Sequence, residues 1–124
     1  MCHGWLKGDP MRLIDPKKNP VTVTPDHTGV TSQEIAGKIA GAKSCEVKLG
    51  VYEAGGKSIV HSHLHSEHVL YILEGQLTVV DGARNEATAI AGEALYVPAG
   101  EVHMAENRGK VNTRYIAVTA PPPE

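Results

Sequence analysis

From residue 44 onward, no apolar run of this chain lasts long enough to make a helix before a glycine, an Asp-Gly pair or a proline stops it. Residues 45–53 alternate Cys45, Val47, Leu49 and Val51 with Glu46, Lys48, Gly50 and Tyr52, the period of two that a half-buried strand shows. Gly55-Gly56 ends that run. Further short runs follow at 69–73, 77–80, 87–90, 94–97, 102–106 and 114–119, punctuated by Gly75, Asp81-Gly82, Gly92 and Pro98. Asp81-Gly82 is a hairpin-turn signal. Short strands at this regular spacing predict an all-β sandwich or barrel. With no Phe and one Trp, its core must be built from Val, Ile, Leu and Ala.

The 124 residues make one domain with one modest core. Residues 1–20 carry Asp9-Pro10, Asp15-Pro16, Lys17-Lys18 and Asn19-Pro20 and no period, so they are expected to form an N-terminal arm, extended or swapped. Met11 is an alternative natural start. Residues 31–40 read as a short helix capped by Thr31 or Ser32 with Glu34 in its first turn. Gly37 and Gly41 weaken that reading, and a strand pair or loop is the alternative. Residues 21–119 are then the barrel. The prolines of 120–124 cannot continue a strand ladder, and that tail is expected to be exposed.

A net charge of -2 leaves no basic footprint for nucleic acid or a membrane surface. No apolar run is long enough to span a bilayer, and residues 1–10 lack the apolar stretch of a signal peptide, so a cytoplasmic protein is expected. Cys2 and Cys45 are read as two free thiols.

Chemistry is concentrated in histidine. Five of the seven histidines lie in His61-Ser62-His63-Leu64-His65-Ser66-Glu67-His68 and at His103. On a strand, His61 and His63 point to the same side, at a separation one metal ion can bridge. His103 must come from a different strand. Three protein ligands and an open position are what a catalytic metal needs. A fourth ligand is ambiguous by period: His68 shares a face with Leu70 and Ile72, Glu67 with Val69, Tyr71 and Leu73, and both faces are apolar.

These segments resemble the cupin superfamily. The first cupin motif places glycine, five residues, H-x-H, three or four residues, glutamate, six residues and glycine. This chain has Gly55, His61, His63, His68 and Gly75 at that spacing. The second motif places glycine, five residues, P-x-G, two residues, histidine, three residues and asparagine, matched by Gly92, Pro98-Ala99-Gly100, His103 and Asn107. The resemblance covers roughly residues 45–119. It implies a double-stranded β-helix, a jelly-roll-like β-barrel, and one divalent transition metal ion per chain. It also implies pairing as a homodimer, which exposed sheet edges favour. His68 stands where the family usually has glutamate, and the spacing to Gly75 selects it over Glu67. The implied ligand set is therefore His61, His63, His68 and His103.

Four neutral imidazoles leave a divalent ion its full charge, so the centre is expected to prefer anionic oxygen. All-nitrogen ligation suits Fe, Mn, Ni, Cu or Zn and does not suit Mg or Ca. His65 is placed at the pocket rim. His3 and His27 stand apart and need no function. Weak candidates for acid or base are Glu67, Glu101, Tyr52 and Tyr115; weak candidates for binding a substrate carboxylate are Lys48 and Arg114. The expected function is a metal-dependent enzyme acting on a small anionic or dicarbonyl organic substrate, with a dioxygenase as one branch. One alternative is a non-redox isomerase, lyase, decarboxylase or cyclase. Another is a cupin that binds a sugar or small effector without catalysis. A storage role fits poorly with a full set of candidate ligands.

Overall fold

The structure, a computed structural model, describes residues 11–123. Within them lie nine strands: β1 (Val21–Val23), β2 (His27–Ala36), β3 (Glu46–Ser58), β4 (Glu67–Glu74), β5 (Gln76–Asp81), β6 (Glu86–Ile90), β7 (Ala94–Val97), β8 (His103–Glu106) and β9 (Thr113–Ala120). All pairings are antiparallel, and the strands run in the order β6-β5-β8-β3-β9-β4-β7, with β2 on β3 and β1 on β2. The two ends of this path, β6 and β7, touch, so the sheet curls into a nearly closed jelly-roll-like barrel. The all-β barrel expected from strand spacing is what forms.

Residues 31–40 are not a helix. β2 runs to Ala36 and pairs with β3 along its length. Val30 and Ser32, two apart, are both buried against the barrel, so the sheet ladder wins over a marginal helix weakened by Gly37 within it and Gly41 just beyond it. Glu34 serves the following turn instead, its carboxylate accepting from Ile39 N at 3.0 Å and Ala40 N at 3.4 Å.

The described part of the arm lies on β2. A single 3-10 turn at Pro16–Lys18 is capped by Asp15. Gln33 Nε2 donates to Pro16 O at 2.9 Å and Asn19 O at 3.0 Å, holding the turn there. Residues 1–10 and Glu124 lie outside the described residues. At the other end, Ser66 Oγ donates to Pro121 O at 2.6 Å, tying the tail to the start of β4.

The core occupies one end of the barrel. Val30, Tyr52, Ile72, Leu77, Ala89, Leu95, Ala105 and Tyr115 form it, with Leu70, Val79 and Ala117 packed alongside. Ile72 and Leu77 are 0 % exposed. Full burial of such a side chain contributes about 1.5–3 kcal/mol. Along β4, alternation carries the inner face from Ile72 in the core through Leu70 to His68, so the same strand joins the apolar plug to a polar end.

Two glycines are steric requirements. Gly75 links β4 to β5 at φ 79°, and a Cβ there would meet Asn112 O at 2.7 Å. A Cβ on Gly50 would collide with the ring of Tyr115, which lies across it from β9. Buried Asn107 binds the β8–β9 connection to β3. Its Nδ2 approaches Tyr52 O at 3.1 Å, Glu53 O at 3.2 Å and Val111 O at 2.8 Å, and its Oδ1 accepts from Gly109 N.

Candidate metal centre

His61 and His103 form an isolated antiparallel bridge, each backbone N donating to the other's carbonyl at 2.9 Å. Gly100 N donates to His63 O at 2.8 Å. Backbone hydrogen bonds therefore knit the two histidine segments together before any metal is considered. The rings follow: centroids are 4.4 Å apart for His61 and His103, 4.9 Å for His61 and His63, and 6.1 Å for His63 and His103. One ring nitrogen from each of the three lies within 4.8 Å of the others. His68 is not part of that tight trio; its ring stands 4.3 Å from His63 and 6.0 Å from His103.

The tautomers are held from behind. His61 Nδ1 meets Ile59 O at 2.8 Å, and His103 Nδ1 meets Glu101 O at 2.8 Å. A carbonyl only accepts, so Nδ1 carries the hydrogen and Nε2 keeps a bare lone pair. This backing is what metal-ligating histidines use. His68 Nδ1 shares a hydrogen bond of 2.8 Å with Thr119 Oγ1. Its Nε2 is buried with no hydrogen-bond partner. An orphaned buried polar atom costs about 1–3 kcal/mol, and a cation would satisfy it. The donor set therefore fits a transition metal.

Electrostatics favour the neutral form of His63, His68 and His103. Burial, then the charges of His63, His103 and His61, pushes His68 down to about 4. Burial also holds His63 and His103 below the ordinary imidazole value. A neutral imidazole is the form that binds metal.

The rings open on a cavity of about 470 Å³ whose wall includes Glu46, Lys48, Tyr52, Tyr115 and Thr119. The Tyr52 and Tyr115 rings are 5.4 Å apart, and burial pushes both phenols well up, so they stay neutral donors. Lys48 Nζ pairs with Glu46 at 3.5 Å.

The other sequence candidates lie elsewhere. Arg114 pairs with Glu74 at 3.1 Å on the outside of the barrel. Glu67 is exposed on the outer face of β4, beside the Tyr96 phenol. Glu101 lines a separate cavity of about 180 Å³ behind His103, and supplies its backbone carbonyl to that ring. His65 is exposed.

Sequence reasoning passed over His27. The β1–β2 turn brings it into the cavity wall, 6.0 Å from the rings of both Tyr52 and His61. Burial lowers its pKa. The available signal was Pro25-Asp26, which marks a tight turn just before it.

Comparisons with known proteins agree with the barrel fold. A family model described as "Cupin domain" matches residues 48–119. The Methanocaldococcus jannaschii protein MJ1618 is 35 % identical over 81 residues, covering 61 % of this chain and 63 % of that protein. The tetracenomycin polyketide synthase protein TcmJ of Streptomyces glaucescens is 42 % identical over 76 residues, covering 57 % of this chain and 50 % of that protein. The match thus spans only half to under two thirds of either relative's length. Among solved structures, the polyketide cyclase RemF of Streptomyces resistomycificus superposes with a TM-score of 0.78 at 21 % identity, covering 91 % of this chain and 81 % of that one. At that identity the likeness is one of fold.

Proposed function

The chain belongs to the cupin domain family, and from that premise we propose that it is a metal-dependent enzyme acting on a small anionic or dicarbonyl substrate by non-redox chemistry of the enolising, ring-closing kind. The observation that carries this reading is the cavity wall itself: the clustered imidazoles of His61, His63, His68 and His103 and two neutral phenols facing about 470 Å³. Small-molecule sites have about 300–1,000 Å³.

In this reading His61, His63 and His103 hold one divalent ion, with His68 as fourth ligand. Zn, Fe, Mn, Ni or Cu, when bound, supplies a positive charge undiminished by any carboxylate ligand, which favours an enolate, diketonate or carboxylate oxygen. Lys48 orients the anionic end of the substrate. Tyr52 and Tyr115 donate hydrogen bonds to carbonyl oxygens, a role their high pKa suits because they stay protonated. Leu70, Ala105 and Ala117 keep the inner wall apolar and strengthen those hydrogen bonds. The preference for non-redox chemistry draws on the relatives. One 42 % identical match is a polyketide synthase protein, and a polyketide cyclase shares the fold. An unreduced polyketide chain carries repeated β-dicarbonyl units, within the substrate class the charge argument selects.

Pairing of two copies is supported by the outer face. Val69, Tyr71 and Leu73 of β4 and Tyr96 of β7 are exposed there, and Val69 is in register with both Tyr96 and Val118. Contiguous exposed apolar surface of this kind marks an interaction site.

Metal analysis of protein purified without chelator tests the reading, followed by acetylacetone and keto-acid binding with and without oxygen. We expect about one transition metal per chain, metal-dependent diketone binding and no oxygen uptake. Protein that takes up no transition metal defeats the proposal. Oxygen consumption moves the function to the dioxygenase class.

A further inference from the structure

His27 carries the further inference, which rests on the metal-dependent reading above. We infer that His27 is a substrate-binding residue whose Nε2 accepts a hydroxyl or enol O–H of the metal-held ligand. Its Nδ1 lies 2.7 Å from Pro25 O. That carbonyl can only accept, so the ring hydrogen sits on Nδ1 and Nε2 keeps its lone pair. His61 and His103 are backed in the same way, each by the carbonyl two residues earlier. The same device therefore occurs three times around one cavity. Two of these rings belong to the trio whose nitrogens converge; His27 does not, standing 6.0 Å from His61. It offers the same acceptor one step away from the metal position, where the body of a bound ligand extends. Among the described residues no hydrogen-bond partner meets its Nε2.

The surroundings suit that role. Rings run continuously from His61 through His27 and Tyr52 to Tyr115, with centroids 6.0, 6.0 and 5.4 Å apart. The phenols of this wall donate; His27 is its neutral acceptor. A ligand with both carbonyl and hydroxyl groups is matched by such a wall, whereas one with carbonyls alone leaves His27 unpaired.

His27 is also held in place. It opens β2 opposite Ser58, and Ile59 N donates to Asp26 O at 3.0 Å, so its turn is tied to the segment leading into His61. Asp26 adopts φ 60°, a left-handed conformation uncommon outside glycine. That conformation turns the chain so that the next residue enters the cavity.

The test uses zinc-loaded protein and calorimetric binding of salicylate and its 2,4-, 2,5- and 2,6-dihydroxy analogues. Salicylate reports the metal centre; the extra hydroxyl probes His27. We expect one dihydroxybenzoate to bind wild type about fivefold or more tighter than salicylate. His27→Ala, and the ring-preserving His27→Phe, should abolish that gain while leaving zinc content and salicylate affinity within about twofold. Nitrogen-15 spectra of the His27 ring, in metal-free and zinc-loaded protein alike, should show hydrogen on Nδ1. No gain in wild type, a gain that survives both variants, zinc lost with either variant, or hydrogen on Nε2 overturns the inference. Failure of zinc or salicylate to bind wild type tells against the metal-dependent reading instead, and the ring spectrum still decides the tautomer on which the His27 role depends.

Discussion

Acid should destabilise the metal-free protein through His68, by an amount the structure sets. Burial and three neighbouring imidazoles lower this ring from 6.5 to about 4. At 1.36 kcal/mol per pKa unit, that displacement corresponds to about 3.4 kcal/mol. The ring is only half-buried, so solvent screening reduces the expected effect to about 1–2 kcal/mol. The direction follows from proton linkage. Above pH 6.5 the ring is neutral in both folded and unfolded chains and contributes no pH dependence. As pH falls through 6.5 the unfolded chain takes up the proton and the folded chain resists, so stability is lost. The loss continues to about pH 4, where the folded ring protonates too. His68→Asn removes the titration and keeps an amide atom near the Nδ1 position, facing Thr119 Oγ1. Urea unfolding of chelator-treated protein at several pH values from 7.5 to 4.5 is the assay. Wild type should lose about 1–2 kcal/mol more than His68→Asn across that window. The remaining slope in the variant comes from His27, His63 and His103, lowered chiefly by burial, and at the acid end from Glu86, lowered by Arg108. Parallel losses in both proteins would refute the placement of His68 in a desolvated imidazole cluster.

Thr119→Val removes the hydroxyl behind His68 Nδ1, and is expected to weaken zinc binding about tenfold in a chelator competition while the barrel stays folded. Gly50→Ala drives a methyl group into the Tyr115 ring; unfolding experiments should show a loss of about 1–3 kcal/mol, and an unchanged midpoint would mean that ring can move aside. Tyr71→Glu places a charge on the exposed apolar face of β4; light scattering should show dimer giving way to monomer, with folding stability within about 1 kcal/mol of wild type.

The barrel was legible because its causes are local. Alternation in residues 45–53 became the first part of β3, and Gly75, Gly92 and Gly100 fall between strands with positive φ, whereas Gly55, expected to end the first run, lies inside β3, which continues to Ser58. Asp81-Gly82 did begin a hairpin, though its loop extends to Asn85, whose N donates to the Asp81 carboxylate. Residues 31–40 were less legible. Their local sequence tolerates a helix, and only pairing with β3, the next strand in the chain, selects the strand as far as Ala36. Glu67 and His68 show the same limit at the site. Period alone left both faces of β4 open because both are apolar. The register with β7 and β9 sets which one looks inward.

By itself the sequence determined that this chain makes a small all-β barrel of the cupin family and that its chemistry belongs to clustered histidines, because period, turn residues and motif spacing are properties of neighbouring positions. Which groups share the cavity depends on how distant strands pair. That pairing sets Arg114 outside against Glu74, Lys48 and the two tyrosines inside, and His27 beside His61. The physical reason is that direction across a sheet depends on long-range pairing. A hydrogen-bond register between distant strands fixes which face is buried, and no neighbouring residue carries that information.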